Sequence, residues 1–276
     1  MTSKARRLTI EITGVILTAI IFGIPFYFIF NMASKNSQEA SLMNISFPEK
    51  FLLFDNIREV ILADKGIVVT AFKNSILLTF FSIVVLILVC SMAGYVAQRR
   101  SGKASPFISF LILTGLIIPP AIVPTIWLLL KLGIFKTMFS MVMIETAISM
   151  SFATLLYKGF MATIPRQIDE AAMVDGAGPL RLFFQIIFPL LKPTTATITV
   201  LSAVNIFNDF VQPLYFFPGA KNATIQLTLY NFTSKYYSSW HLLFADVFII
   251  TIPPLILFII FNKKIISGMA AGAIKG

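Results

Sequence analysis

Long apolar runs at 12–32, 67–97, 107–130, 137–161, 194–217 and 242–261 alternate with shorter polar segments. A helix needs about 20 consecutive apolar residues to cross the hydrocarbon of a bilayer. The pattern therefore predicts an all-α integral membrane protein with six transmembrane helices. Pro and Gly interrupt several runs, which membrane helices tolerate better than soluble ones do. Kinks are predicted at Pro119, Pro120 and Pro124, and again at Pro253 and Pro254. No internal repeat carries the inverted symmetry of a secondary transporter, and neither end reads as a soluble domain. Residues 1–276 are read as one transmembrane domain.

The segment 162–193 departs from this pattern. Pro165 is acceptable in a first helical turn, Ala171 and Ala172 leave a low surface, and Gly176, Gly178 and Pro179 then stop the helix. This predicts a short exposed helix over 167–175, roughly two to three turns long. After the turn, Leu180, Phe183, Phe184, Ile187 and Leu191 recur at helical spacing, with Arg181, Gln185 and Lys192 off the stripe. A second helix is expected there, lying partly against the rest of the protein. On the residues alone, a docking element and a plain connecting loop both remain open.

Composition agrees with a membrane protein: 57% of residues are hydrophobic and 12% charged, about half the charged fraction of a soluble domain. The formal net charge of +10 does not point to nucleic acid, because the cations sit at the ends of apolar runs, where they orient a membrane protein. With the N-terminus inside, the inner segments hold Lys4, Arg6 and Arg7; Arg99, Arg100 and Lys103; Lys158, Arg166, Arg181 and Lys192; and Lys263, Lys264 and Lys275. Lys131 and Lys136 flank an outer loop in the opposite sense. The apolar run after Arg7 is too long for a cleavable signal. A lone Cys90 excludes a disulfide within the chain and a thiolate metal cluster. Of the outer segments, 33–66 is either a small cap or an interfacial helix. Tyr230, Tyr236, Tyr237 and Trp240 in the other form an aromatic belt, one or two of them in reach of a partner.

No G-x-x-x-x-G-K-[ST] phosphate loop is present, so ATP hydrolysis by that route is excluded. His241 stands alone, without a second His or a Cys nearby, and nothing resembles an active site. Glu145 and Asp246 lie within apolar runs, where an ionisable group either faces a water-filled pathway or snorkels to the surface. On a helix, Asn205, Asn208, Asp209 and Gln212 share one face, flanked by Phe207 and Phe210. Amides and a carboxylate beside aromatic rings suit sugar hydroxyls and their C–H faces, and Trp127 is a further candidate of that kind. The same polar groups would equally serve as hydrogen bonds between helices.

Glu170-Ala171-Ala172, Asp175-Gly176-Ala177 and the later Ile187 and Pro189 resemble the EAA loop of bacterial ABC importer permeases. The segment Ile206-Phe207-Asn208-Asp209-Phe210, followed by Pro213-Leu214, resembles the Trp-Asn-Asp/Glu-Phe segment of carbohydrate importer permeases, with Phe207 where Trp is usual. Ser267-Gly268-Met269 through Gly272-Ala273-Ile274-Lys275-Gly276 is similar to that subfamily's glycine-rich ending. The likeness extends from about Asn74 onward. It implies the type I ABC importer permease fold and the six-span partner subunit of a maltose-type, binding-protein-dependent importer. It also implies that the loop 162–193 carries a cytoplasmic coupling helix seated in a cleft of a separate ATPase subunit. Asp169, Glu170, Ala171, Ala172, Asp175 and Gly176 would form that contact: Glu170 pairing with a basic or polar group, the alanines permitting close approach, Gly176 permitting the turn. The implied partners are a second homologous permease, two ATP-binding cassette subunits, an extracytoplasmic sugar-binding protein and membrane lipid. ATP and Mg would be bound by the ATPase subunits, with no cofactor in this chain. The implied location is the bacterial cell membrane, with both termini cytoplasmic. Alternatives are an ABC importer for another small solute, an ion-coupled secondary transporter or a membrane enzyme.

Overall fold

Among the described residues, four helices are long and apolar enough to cross a membrane, and up to six spans result if each of two sharply bent helix pairs counts as one. The computed structural model describes residues 3–100, 104–232 and 239–273, and among these there is no strand. Lys103, Tyr236, Tyr237 and Ile274-Lys275-Gly276 of the tail lie outside the described residues. The chain folds as two compact units, 1–69 with 227–253 and 70–226 with 254–276.

The first unit contains α1 (Ser3–Ala33), α2 (Ser37–Ser41) and α3 (Leu53–Leu62). The most apolar stretch of α1 has no buried residue, as befits a helix whose surroundings are lipid or another protein. The segment after it folds as a cap around Lys35, which is wholly buried. Its ammonium donates to the Asn44 backbone oxygen at 2.7 Å and to Asn44 Oδ1 at 2.8 Å. Burial pulls the Lys35 pKa below the usual lysine value, opposed by the Glu39 carboxylate. Asn56 of α3 donates to the carbonyls of Ala33 and Lys35 at 2.8 and 2.9 Å, which closes the cap onto the end of α1. In the same unit Asp246 is fully buried and accepts the Thr228 hydroxyl at 2.7 Å, so it does not snorkel.

In the second unit lie α4 (Ile67–Arg99) from Thr70 on, α5 (Ala104–Ile117), α6 (Ile122–Lys131), α7 (Met138–Met161), α8 (Gln167–Val174), α9 (Pro179–Arg181), a π-helical turn over Leu182–Ile187, α10 (Phe188–Leu190), α11 (Lys192–Phe207) and α12 (Val211–Phe216). The kink predicted in the third run is a full break: α5 and α6 meet at 111°. Consecutive Pro119 and Pro120 cannot donate helical hydrogen bonds, whereas Pro124 falls in the first turn of α6, where the missing donor costs nothing. The fifth run is also broken, because α11 ends at Phe207 and α12 begins at Val211. By contrast α13 (Trp240–Ala273) continues through Pro253 and Pro254 as one helix, the tolerance of membrane helices for proline prevailing there.

Among the described residues, two cores hold the second unit. One gathers Leu86, Cys90, Ala153, Tyr157 and Met161 with Ala172, Leu182, Phe183, Ile187 and Leu191. The apolar stripe predicted after the turn is thereby shifted: Leu182 joins it, while Leu180 and Phe184 are exposed. The π-turn changes the spacing from the ordinary helical period, which accounts for the shift. The other core packs Leu78, Met141, Ile144, Ile206 and Phe216.

Close packing of α4 on α7 depends on Gly94, where a Cβ would stand 2.6 Å from Tyr157 Cβ and 3.0 Å from the Lys158 backbone nitrogen. Tyr157 in turn shares a 3.0 Å hydrogen bond with the Thr195 hydroxyl of α11. Gly94→Ala should lower stability by about 1–3 kcal/mol, the usual cost of overpacking. Gly14→Ala, where a Cβ meets nothing within 4 Å, should cost nothing; thermal unfolding of the purified chain in detergent compares the two.

Candidate functional site

An eight-residue helix, α8, follows α7 across a short turn and stops in a fully formed Schellman motif. The Gly176 N–H donates to the Met173 carbonyl at 3.1 Å and the Ala177 N–H to the Ala172 carbonyl at 2.9 Å. Gly176 has φ +78°, the left-handed conformation that L residues resist, and a Cβ there would meet no neighbour. Conformation alone therefore demands glycine. Just beyond, Pro179 opens the next helix from its first turn.

The sequence-predicted coupling residues divide between the two faces of α8. Glu170, Ala171, Asp175 and Gly176 are exposed, whereas Asp169 and Ala172 are buried. Ala172 packs into the core with Tyr157, Phe183 and Ile187, so the close approach it permits is to this chain's own helices. Asp169 pairs with the guanidinium of Arg99 at the end of α4, the nearest contact being 2.8 Å. The Tyr95 hydroxyl donates to Asp169 Oδ1 at 2.9 Å and Arg99 Nε to the same oxygen at 3.3 Å. Arg99 also donates to the Ile164 carbonyl at 3.1 Å, and Arg166 reaches the Gln98 carbonyl at 3.4 Å. Sequence reading missed Tyr95 and Arg99, taking Arg99 as one of the cations that mark an inner loop. Their i, i+4 spacing, which puts both on one face at the end of a span, was the available signal.

At the far end of α7 a cavity of about 460 Å³ opens where α5 and α6 break apart. Its lining includes Gly115, Pro119, Pro120, Thr125, Ile148 and Gln212. Non-helical backbone at membrane depth is stable only when buried in protein or facing a water-filled space. The Oε1 atom of Gln212 is buried there without a hydrogen-bond partner.

The break in the fifth run separates the residues expected on one helical face. Asp209 lies between α11 and α12 and caps the latter, its Oδ1 accepting the Val211 and Gln212 N–H groups at 2.8 and 3.2 Å. Asn208 accepts from Gln226 Nε2 at 3.0 Å. Asn205 remains on α11 and is exposed. Glu145 of α7, 3% exposed, does not snorkel; its carboxyl lies against that of Asp209. Glu145, Asp209 and Gln212 are thus brought together beside the cavity, while Trp127 is 70% exposed on α6 and is not part of the lining. Phe207 is buried against Phe72, with ring centroids 6.2 Å apart, and is not free to stack on a ligand. Among the described residues no group of His, Cys, Asp and Glu is placed to hold a metal ion.

Residues 90–271 match the family described as the binding-protein-dependent transport system inner membrane component. The chain belongs to this family. The match takes in α8, the contacts of Tyr95 and Arg99 with Asp169, and the cavity. Among curated relatives, the melibiose/raffinose/stachyose import permease protein MelC of Bacillus subtilis (strain 168) is 34% identical, covering 92% of this chain and 91% of its own length. The probable starch degradation products transport system permease protein AmyC of Thermoanaerobacterium thermosulfurigenes is 31% identical, covering 95% and 94%. The fold is that of a chain in the crystal structure of a bacterial ABC transporter involved in the import of the acidic polysaccharide alginate. That chain has a TM-score of 0.80 and 19% identity, with 95% of this chain and 98% of that one covered. The family assignment makes this protein a membrane-embedded transport component with the ABC importer permease fold.

Gly176→Val should destabilise α8 by about 1–2 kcal/mol or more, the cost of forcing a side chain into the left-handed region. Gly178→Ala, at φ −68° with open space around the Cβ, should be silent. Amide hydrogen exchange at Met173–Ala177 reads the difference: faster exchange in the first variant only.

Proposed function

We propose that this chain is one half of the translocation channel of an ATP-driven, binding-protein-dependent carbohydrate importer. The single observation that carries the reading is α8. It is a helix capped at its end by Gly176, fixed on its inner face by Asp169 and Ala172, and exposed on its outer face at Glu170, Ala171 and Asp175. A helix rigidly held on one side and bare on the other suits a partner's cleft, and in this family that partner is an ATPase subunit.

On this reading the whole of 1–276 acts as one transmembrane domain beside a second, homologous permease. Two separate cassette subunits bind ATP and Mg and hydrolyse the nucleotide; this chain is not catalytic and holds no cofactor. Both termini and α8 face the cytoplasm, while a binding protein delivers cargo on the opposite side. The names of the two relatives, one an import permease protein for melibiose, raffinose and stachyose and the other a probable transport system permease protein for starch degradation products, support an oligosaccharide as cargo. Gln212, with its unpartnered buried oxygen, and the neighbouring Glu145 and Asp209 supply polar groups to the pathway beside the cavity. Asn205 near the end of α11 and Asn208 just beyond it add further polar groups on that side. Trp127 meets lipid or a partner chain rather than cargo.

The test is gentle extraction of the native complex, wild type and Glu170→Arg, followed by identification of what co-purifies and by uptake of labelled oligosaccharides into vesicles. The reading predicts a second permease and an ATPase subunit with the wild-type chain, ATP-dependent sugar uptake, and loss of the ATPase in the variant. A chain that purifies alone and transports without ATP contradicts it.

A further inference from the structure

We infer that Asp169, Arg99 and Tyr95 form a clamp that makes α8 and the end of α4 move as one body, so that displacement of α8 is transmitted to a transmembrane helix. The inference rests on the importer reading above and adds to it positioning residues on this chain's own side of the coupling step. Three observations meet here. The Arg99 and Asp169 side chains are only 12% and 9% exposed, which places the pair inside the protein rather than on a solvated rim. Arg99 grips two points of the connection, the Asp169 carboxylate and the Ile164 carbonyl at 3.1 Å that precedes α8. Tyr95, one turn earlier on α4, donates to Asp169 Oδ1 at 2.9 Å, so the carboxylate is held from two positions on α4.

A guanidinium is planar and presents its donors in a fixed fork, and a ring hydroxyl is equally limited in direction. Contacts of this kind resist sliding, which a purely apolar interface does not. The apolar neighbours support the same linkage: Tyr95 stacks edge-on against Phe183 with centroids 5.6 Å apart, and Ala172 fills the core beneath α8. At its other end α4 is tied into the same unit, with Asn74 donating to the Lys221 and Ala223 carbonyls at 2.9 and 3.0 Å. A displacement entering at α8 through the clamp therefore reaches the segment 221–225 at the opposite end of α4.

Asp169→Asn keeps the shape of the side chain and removes its charge; Asp169→Glu keeps the charge. The complete importer carrying each variant is placed in vesicles, and assembly, ATP hydrolysis and sugar uptake are measured on the same sample. The clamp predicts that the Asn variant assembles with its ATPase yet takes up about tenfold less sugar per ATP hydrolysed, a loss within the range of coupling free energies, and that Glu restores most of the ratio. An unchanged ratio in the Asn variant overturns the proposal. So does a variant whose assembly is lost while the complexes that survive transport normally, because that is a folding role alone. The wild-type control separates this from failure of the importer reading, which would show as no ATP-dependent sugar uptake in any sample.

Discussion

Everything about the exposed helix depends on a carboxylate that is not exposed. Burying the Asp169 charge is affordable only because Arg99 and Tyr95 meet it, and removing one partner of such a pair costs about 3–5 kcal/mol. That contact fixes the rotation of α8. With Asp169 and Ala172 turned inward, helical geometry forces Glu170 and Ala171 outward. Gly176 then ends the helix after Val174, because its left-handed backbone permits the two Schellman hydrogen bonds. One buried ion pair, one small core residue and one glycine together define a projecting surface.

The second constraint is the membrane itself. Backbone polar groups find no water in hydrocarbon, so broken helices survive only against protein or an aqueous space. The second unit has a break between α5 and α6 and another between α11 and α12, and residues beside both contribute to one cavity. Asp209 satisfies two of the N–H groups that the second break leaves open. The irregular backbone and the buried polar side chains thus occur together, which is what a pathway for a polar solute requires and a simple lipid-facing bundle does not.

Most of the fold was legible because hydrophobic run length reports directly on bilayer crossing. The stop at Gly176 was legible because few residues adopt a left-handed backbone. Both breaks were underestimated. Pro119-Pro120 reads equally as a kink or as a break, and Asn208-Asp209 reads as ordinary helix until the Asp209 side chain is seen capping α12. The inward rotation of Asp169 was invisible, since Asp169-Glu170 presents two adjacent carboxylates and the sequence does not say which of them meets Arg99. The surroundings of Phe207 and Trp127 were not legible for a related reason: whether an aromatic ring faces a core, a pathway or lipid is decided by neighbours far away in sequence.

The central claim is that one face of α8 belongs to this chain and the other to an ATPase subunit. Cysteine cross-linking in the intact complex tests it most directly, with a single cysteine placed at Ala171 or at Ala172. The native Cys90 is buried, which keeps the background low. The account predicts that a cysteine at Ala171 cross-links to the ATPase subunit and that one at Ala172 does not. Cross-linking from Ala172 with none from Ala171 would contradict it.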